Sequence, residues 1–154
     1  MNKRYGCFIL ICFLFVALCS CMNRGPYSAP LKQPLDAIIK VDLLDGRNEA
    51  KLFEADTYAS CVIYSLSSSQ IPAFVDRLQF VDFYIPSFEP SRHLGEIAVR
   101  ICYSDGSSDI LGSNCNYSID PNFNVIDKGV YYPDEDAIYA LFAEFVDSQL
   151  LPHR

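Results

Sequence analysis

The chain contains no tryptophan, and only two of its 154 residues are histidine. His93 and His153 stand far apart and no Cys-x-x-Cys occurs, so the ligand spacing of zinc sites is missing. Two acidic clusters, within 42–49 and 105–109, lack the alternating oxygen ligands of a calcium loop, and turn formation explains them better. Gly-x-Ser-x-Gly, Ser-x-x-Lys, phosphate-loop and paired-carboxylate signatures are missing too. We therefore predict no metal, no cofactor and no catalytic residue, and expect that the protein is not an enzyme.

Positive charge is scarce, with 12 Lys and Arg against 19 Asp and Glu and a net charge of −7. Lys3 and Arg4 lie in the first 20 residues, which contain no acid, so the net charge without that segment is −9. Such a balance disfavours binding to nucleic acid and electrostatic binding to anionic lipid. We predict no nucleic-acid partner.

The first 20 residues differ from the rest of the chain. A basic start is followed by an apolar run, 7–19, that contains no charged residue. This run is shorter than the roughly 20 residues that a membrane-spanning helix needs. A basic start, a short apolar run and a small residue at the end are typical of a secretory signal peptide. The sequence therefore predicts a signal peptide over 1–20.

The leader ends in Leu18-Cys19-Ser20-Cys21, which resembles the lipobox of bacterial lipoproteins. The resemblance implies cleavage between Ser20 and Cys21 and attachment of a diacylglyceryl group to the Cys21 thiol. Two acyl chains, at about 0.8 kcal/mol per buried CH2, hold a protein at a membrane without protein contacts. We therefore expect an exported protein anchored through Cys21 to the cell membrane, facing outside the cytoplasm. The alternative is a plain secretory signal with incidental cysteines.

The chain after Cys21 divides into a linker and one domain. Pro26, Pro30 and Pro34 disfavour helix, so 21–34 is predicted to be the lipidated cysteine and a flexible linker that reaches about 40 Å. The segment 35–150 is long enough to bury its own core, and is predicted to be a single α+β domain.

Hydrophobic periodicity predicts the elements of this domain. Apolar residues at spacings of three and four predict one helix from Ile71 to Leu78 and a second after Pro133. Alternation along 96–103 predicts a half-buried strand with Ile97, Val99, Ile101 and Tyr103 on one face. Further strands are predicted at 37–44, 49–53, 61–64, 80–85, 110–117 and 124–132. The predicted fold is a twisted antiparallel sheet with two helices packed on one face.

The layout of the chain is similar to that of small uncharacterised lipoproteins of Gram-positive bacteria. The shared features are the lipobox, the linker, a strand-rich start, a short helix, a strand ending in 103–106 (Tyr-Ser-Asp-Gly) and an acid-capped closing helix. The resemblance implies a location and does not imply an activity.

Three cysteines remain beyond the lipobox, Cys61, Cys102 and Cys115. Export places them outside the reducing cytosol, in a setting where thiols can pair as disulfides. Cys102 and Cys115 flank the predicted turn at 105–109, so we favour a disulfide between them. The alternative is that the thiols are free and buried as small apolar groups.

Tyrosines are the remaining candidates for a binding surface. Tyr84, Tyr103, Tyr131 and Tyr132 lie on predicted strands, and exposed tyrosines among acids suit protein or ligand binding. They also suit the edges of a core. We expect a non-enzymatic binding or accessory module whose partner is an envelope protein or a small ligand. The alternative is an inhibitor or immunity-type protein that blocks an envelope enzyme or toxin.

Overall fold

The computed structural model describes residues 24–85, 93–129, 131–133 and 135–151. The strands are β1 (Arg24–Tyr27), β2 (Ile38–Asp45), β3 (Val62–Ser65), β4 (Phe83–Ile85), β5 (Ile97–Tyr103), β6 (Ser108–Gly112), β7 (Asn116–Ile119), β8 (Val125–Gly129) and β9 (Tyr132–Pro133). The helices are α1 (Glu49–Leu52), α2 (Ala55–Tyr58), α3 (Ile71–Leu78) and α4 (Glu135–Ala143). Single 3-10 turns lie at Leu35–Ala37, Gly46–Asn48, Ala59–Cys61 and Ser148–Leu150.

Six strands form an antiparallel sheet in the order β3-β2-β5-β6-β7-β8, and β1, β4 and β9 form a second, three-stranded sheet. The α+β class predicted from the sequence is confirmed. The predicted strand 110–117 is divided between β6 and β7, because the chain turns where the Gly112 amide donates to the Cys115 carbonyl. A turn is present where one was predicted, with Gly106 in the left-handed region at φ +85°, but it ends before Ser108, because Ser108 and Asp109 belong to β6 and not to the turn.

One face of the six-stranded sheet, which we call the first face, carries both longer helices. The alternation predicted along β5 is confirmed, since Ile97, Val99, Ile101 and Tyr103 all belong to the core on this face. Phe74 of α3 and Phe142 of α4 are fully buried there, with ring centroids 5.6 Å apart. The predicted packing of two helices on one face is therefore confirmed. None of the helices in the described ranges is long and apolar enough to cross a membrane.

The opposite, second face is also covered, which the sequence did not predict. The segment 49–61 lies over it and buries Leu52 against Leu44, Ala98 and Ile110. The strand predicted at 49–53 is therefore wrong. Glu, Ala, Lys and Leu favour helix, and a segment that packs by one buried leucine needs no strand pairing. Consequently β5 is buried on both faces and not on one.

The described part of the predicted linker, 24–34, contacts the domain. Strand β1 pairs antiparallel with β4, and Ala29 and Leu31 pack against the core of the first face. The Lys32 amide donates a hydrogen bond of 2.7 Å to the Asp109 carboxylate. The structure differs here from a free linker because two apolar side chains and one backbone donor find partners on the domain.

Candidate functional site

Two charged residues lie side by side in the core of the second face. Asp42 on β2 and Arg100 on β5 are direct cross-strand partners. Asp42 is 0% exposed and Arg100 is 5% exposed. A buried charge is costly unless it is paired and hydrogen-bonded. The partners of both side chains therefore show which of the two charges is compensated within the protein.

Asp42 is fully engaged by donors of the protein. The Lys40 ammonium donates at 2.7 Å, the Ser65 hydroxyl donates at 2.5 Å, and the Tyr58 hydroxyl donates a further hydrogen bond. Burial, and then this bond to Asp42, raise the pKa of Tyr58 above its ordinary value. The carboxylate of Asp42 thus fastens α2 to β2 and β3.

Arg100 has few polar partners of its own. Its Nε donates a 2.9 Å hydrogen bond to the Ser108 hydroxyl. Within the ranges that the structure describes, no carboxylate lies within 4.0 Å of the guanidinium, and its terminal nitrogens form no hydrogen bond. Arg100 therefore differs from Asp42, because most of its donors are uncommitted.

Two aromatic rings enclose the guanidinium. The Cζ atom of Arg100 lies 4.3 Å from the ring centroid of Tyr58 and 4.3 Å from that of Phe123. The two rings are 6.0 Å apart at an interplanar angle of 61°. These distances place the rings near a right angle about Cζ, so the guanidinium sits in an aromatic corner. Cation–π attraction stabilises its charge there without neutralising it.

The turn between β7 and β8 positions Phe123. Phe123 has φ +65°, a left-handed conformation that is rare for a bulky residue. The Asp120 carboxylate accepts from the Asn122 and Asn124 amides and from the Asn124 side chain. The side-chain bond from Asn124 is the main cause that lowers the pKa of Asp120. This turn fixes the Phe123 ring against Arg100.

A second polar cluster fastens the other end of the segment 49–61. The Tyr117 hydroxyl donates to the Glu49 carboxylate, and the Lys128 ammonium donates to the same hydroxyl at 2.5 Å. His93 Nδ1 lies 3.5 Å from Glu49. Burial, and then the bond to Glu49, raise the pKa of Tyr117. A tyrosine–carboxylate hydrogen bond therefore holds each end of the cover over the second face.

A third cluster borders a cleft on the first face. The buried Asp109 carboxylate accepts from the Tyr103 and Ser118 hydroxyls, both at 2.5 Å, and from the Lys32 amide. The adjoining cleft, of about 470 Å³, is also lined by Asp105, Asp120 and Asp127. Lys32 pairs with Asp127 at 2.5 Å. The cleft is therefore lined by four aspartates and one lysine.

The structure separates the tyrosines that were predicted to form a surface. Tyr103 is 1% exposed, so it belongs to the core and not to a binding surface. Tyr131 is half-buried and meets Tyr27 edge to face at 5.7 Å, and Tyr84 is half-buried. The predicted tyrosine surface therefore does not include Tyr103, whose hydroxyl is directed to Asp109.

The structure does not bring Cys102 and Cys115 together. Both thiols are free, as is that of Cys61. Cys102 is paired with Ser108 at one end of β6, whereas Cys115 follows Gly112 at the other end, about 13 Å away along a strand. Burial raises the pKa of both Cys102 and Cys115. The predicted cleavage and lipidation residues, Ser20 and Cys21, lie outside the described residues.

Compared with protein families, with curated proteins and with solved structures, the chain shows no match. Within the described residues, no group of three potential metal-binding side chains occurs. The strongest feature of the site is Arg100, a buried cation whose terminal nitrogens have no hydrogen-bond partner among the described residues.

Proposed function

We propose that this chain is an exported lipoprotein, anchored to a membrane through a diacylglyceryl group on Cys21, whose domain acts as a non-enzymatic binding or accessory module. The observation that carries the proposal is the lipobox Leu18–Cys21 at the end of a basic and then apolar leader. The anchored domain begins a few residues later with β1.

The tyrosines and cysteines of the clusters offer no deprotonated nucleophile at neutral pH. Catalytic acids and bases have pKa values near the working pH, and catalytic thiols have lowered ones. Here the pKa values of Tyr58, Tyr117, Cys102 and Cys115 are all raised, with burial as the first cause. These groups keep their protons at neutral pH and act as hydrogen-bond donors or as apolar groups.

The anchor is tested by metabolic labelling with palmitate. The full chain should incorporate the label and lose its leader, whereas Cys21→Ala should do neither. Cys19→Ala is the matched control, because it removes the neighbouring thiol and leaves the lipobox cysteine in place. Labelling that survives Cys21→Ala would refute the anchor.

An inhibitor or immunity-type role is the second candidate, and the acidic cleft beside Asp109 favours it. A net charge of −9 after the leader and a cleft lined by several aspartates suit a basic enzyme or toxin. Cells that lack the protein should then become sensitive to a lytic enzyme or toxin. Unchanged sensitivity across a broad panel would count against this role.

A further inference from the structure

We propose that Arg100 is the anchor of a binding site for a carboxylate group of a small anionic ligand, on the second face of the sheet. This inference deepens the proposed binding role and rests on it. It names the chemical class of the ligand and the residue that recognises it.

The charges around Arg100 are unequally paired. The cluster of Lys40, Asp42 and Arg100 contains two cations and one anion, so it carries one net positive charge. The contacts divide this charge unequally, because Asp42 already binds Lys40 directly while Arg100 has no carboxylate within 4.0 Å in the described ranges. The Lys40 side chain is 49% exposed, so solvent screens its charge. A monoanionic carboxylate would give the buried Arg100 an ion-pair partner of its own.

The remaining donors of Arg100 suit a planar anion. Tyr58 and Phe123 occupy two sides of the guanidinium, and Ser108 takes the hydrogen of Nε. The donors that remain are those of the terminal nitrogens, which lie in one plane. A carboxylate is planar and accepts two parallel hydrogen bonds from such a pair of nitrogens. The flanking rings would contact the apolar part of a ligand that carries the carboxylate on an aromatic or aliphatic group.

The two rings around Arg100 are held in place before any ligand binds. Phe123 keeps an uncommon left-handed backbone because the Asp120 carboxylate holds the surrounding turn by three hydrogen bonds. Tyr58 is held from the other side by Asp42. Backbone strain of this kind persists only where neighbouring contacts impose it, and it concentrates at ligand-binding sites. Little reorganisation is then needed when a ligand binds.

The test is a titration of the full chain, in a non-ionic detergent, with benzoate as the carboxylate probe. Benzamide is the matched neutral probe, since it has the same ring and no charge. Nitrogen-edited NMR of the arginine Nε–H signals should show a saturable shift of the Arg100 signal with benzoate and none with benzamide. Arg100→Met should weaken benzoate binding about 10- to 100-fold, the loss expected for a charge-assisted bidentate contact.

Arg77→Met is the matched control variant. Arg77 lies on α3, 62% exposed and paired with Glu144, so its removal should leave benzoate binding unchanged. The wild-type titration needs no variant, so it decides the matter even if Arg100→Met fails to fold. Equal effects of benzoate and benzamide, or an unmoved Arg100 signal at saturating benzoate, would overturn the proposal.

Inorganic phosphate forms the last arm of the experiment. If phosphate shifts the Arg100 signal and benzoate does not, the assignment to carboxylates is wrong. These outcomes are independent of the anchor. Palmitate labelling at Cys21 reports on the anchor alone, and the titration reports on Arg100 alone, so either can fail while the other stands.

Discussion

The backbone amide of Lys32 donates a 2.7 Å hydrogen bond to the carboxylate of Asp109, which lies 77 positions later in the sequence. Asp109 also accepts from two buried hydroxyls, those of Tyr103 on β5 and Ser118 on β7. One carboxylate thus joins the amino-terminal segment to two strands of the sheet. The stability of the domain and the position of that segment are therefore coupled.

Replacing Asp109 by alanine should destabilise the protein by about 2–4 kcal/mol, because three donors lose a buried acceptor. Urea unfolding measures the loss, and hydrogen exchange at the Lys32 amide should accelerate. Asp127→Ala is the control, since its pair with Lys32 is about half exposed and screened by solvent, and its loss should change stability far less than Asp109→Ala does. Equal effects of the two variants would contradict the assigned role of Asp109.

Removal of the Asp42 carboxylate should have a comparable effect on the second face. Asp42→Ala leaves the donors of Lys40, Tyr58 and Ser65 without their acceptor, and we expect a loss of about 3–5 kcal/mol, as for other broken buried ion pairs. Urea unfolding measures this loss as well. The exposed Asp36 provides the control, and Asp36→Ala should change stability by less than about 0.5 kcal/mol. A tolerated Asp42→Ala would show that the cover is held by apolar contacts alone.

Alkaline pH should unfold the protein through its tyrosines. The pKa values of Tyr58, Tyr103 and Tyr117 are raised above the ordinary value of 10.0, with burial as the first cause in each. A raised pKa means that the stability from these protonated hydroxyls is complete below pH 10 and is lost as the pH rises further. Tyrosinate absorbance should therefore show three groups that ionise only as the fold is lost, which circular dichroism follows in parallel.

The matched variant for this titration is Tyr58→Phe. This variant keeps a ring beside Arg100 and removes the Tyr58 hydroxyl. Two tyrosines, and no longer three, should then ionise together with unfolding. Ionisation of all tyrosines in a folded protein near pH 10 would show that these hydroxyls are not held by the core.

The three cysteines of the domain should remain thiols. Reaction with a disulfide reagent should reach the half-buried Cys102 first, and the buried Cys61 and Cys115 only on unfolding. Mass spectrometry without reductant measures any pairing. A disulfide between Cys102 and Cys115 would require rearrangement of β6, and its detection would refute the register described above.

The parts of the fold that sequence periodicity predicted are those built on long, regular apolar patterns. The alternation along 96–103 and the stripes of α3 and α4 each span two or more repeats, so they identified β5 and both helices. The prediction of a strand at 49–53 was wrong because a helix of four residues contains barely one turn and shows no hydrophobic periodicity. The prediction of a flexible linker does not hold over 24–34, because Pro residues disfavour helix but do not prevent strand pairing or packing against the domain.

The candidate site could not be predicted, because it depends on contacts between distant parts of the chain. The register of the sheet joins Asp42 of β2 to Arg100 of β5, and side-chain contacts add Tyr58 of α2 and Phe123 of a turn. The available signal was a charge in the middle of an apolar strand. The alternation along 96–103 placed Arg100 on the face opposite the core, and this face was expected to meet solvent. The segment that covers it, 49–61, had been predicted in part as a strand.

The early start of β1 has a consequence for where a partner can meet this protein. With the lipid on Cys21, only Met22 and Asn23 lie between it and the first strand, so the span from Cys21 to Arg24 is at most about 11 Å. The domain, roughly 30 Å across, would then stay in a thin layer at the bilayer surface and search it in two dimensions. Molecules that themselves diffuse in or on that bilayer would meet it at high effective concentration, and components held farther away would not reach it.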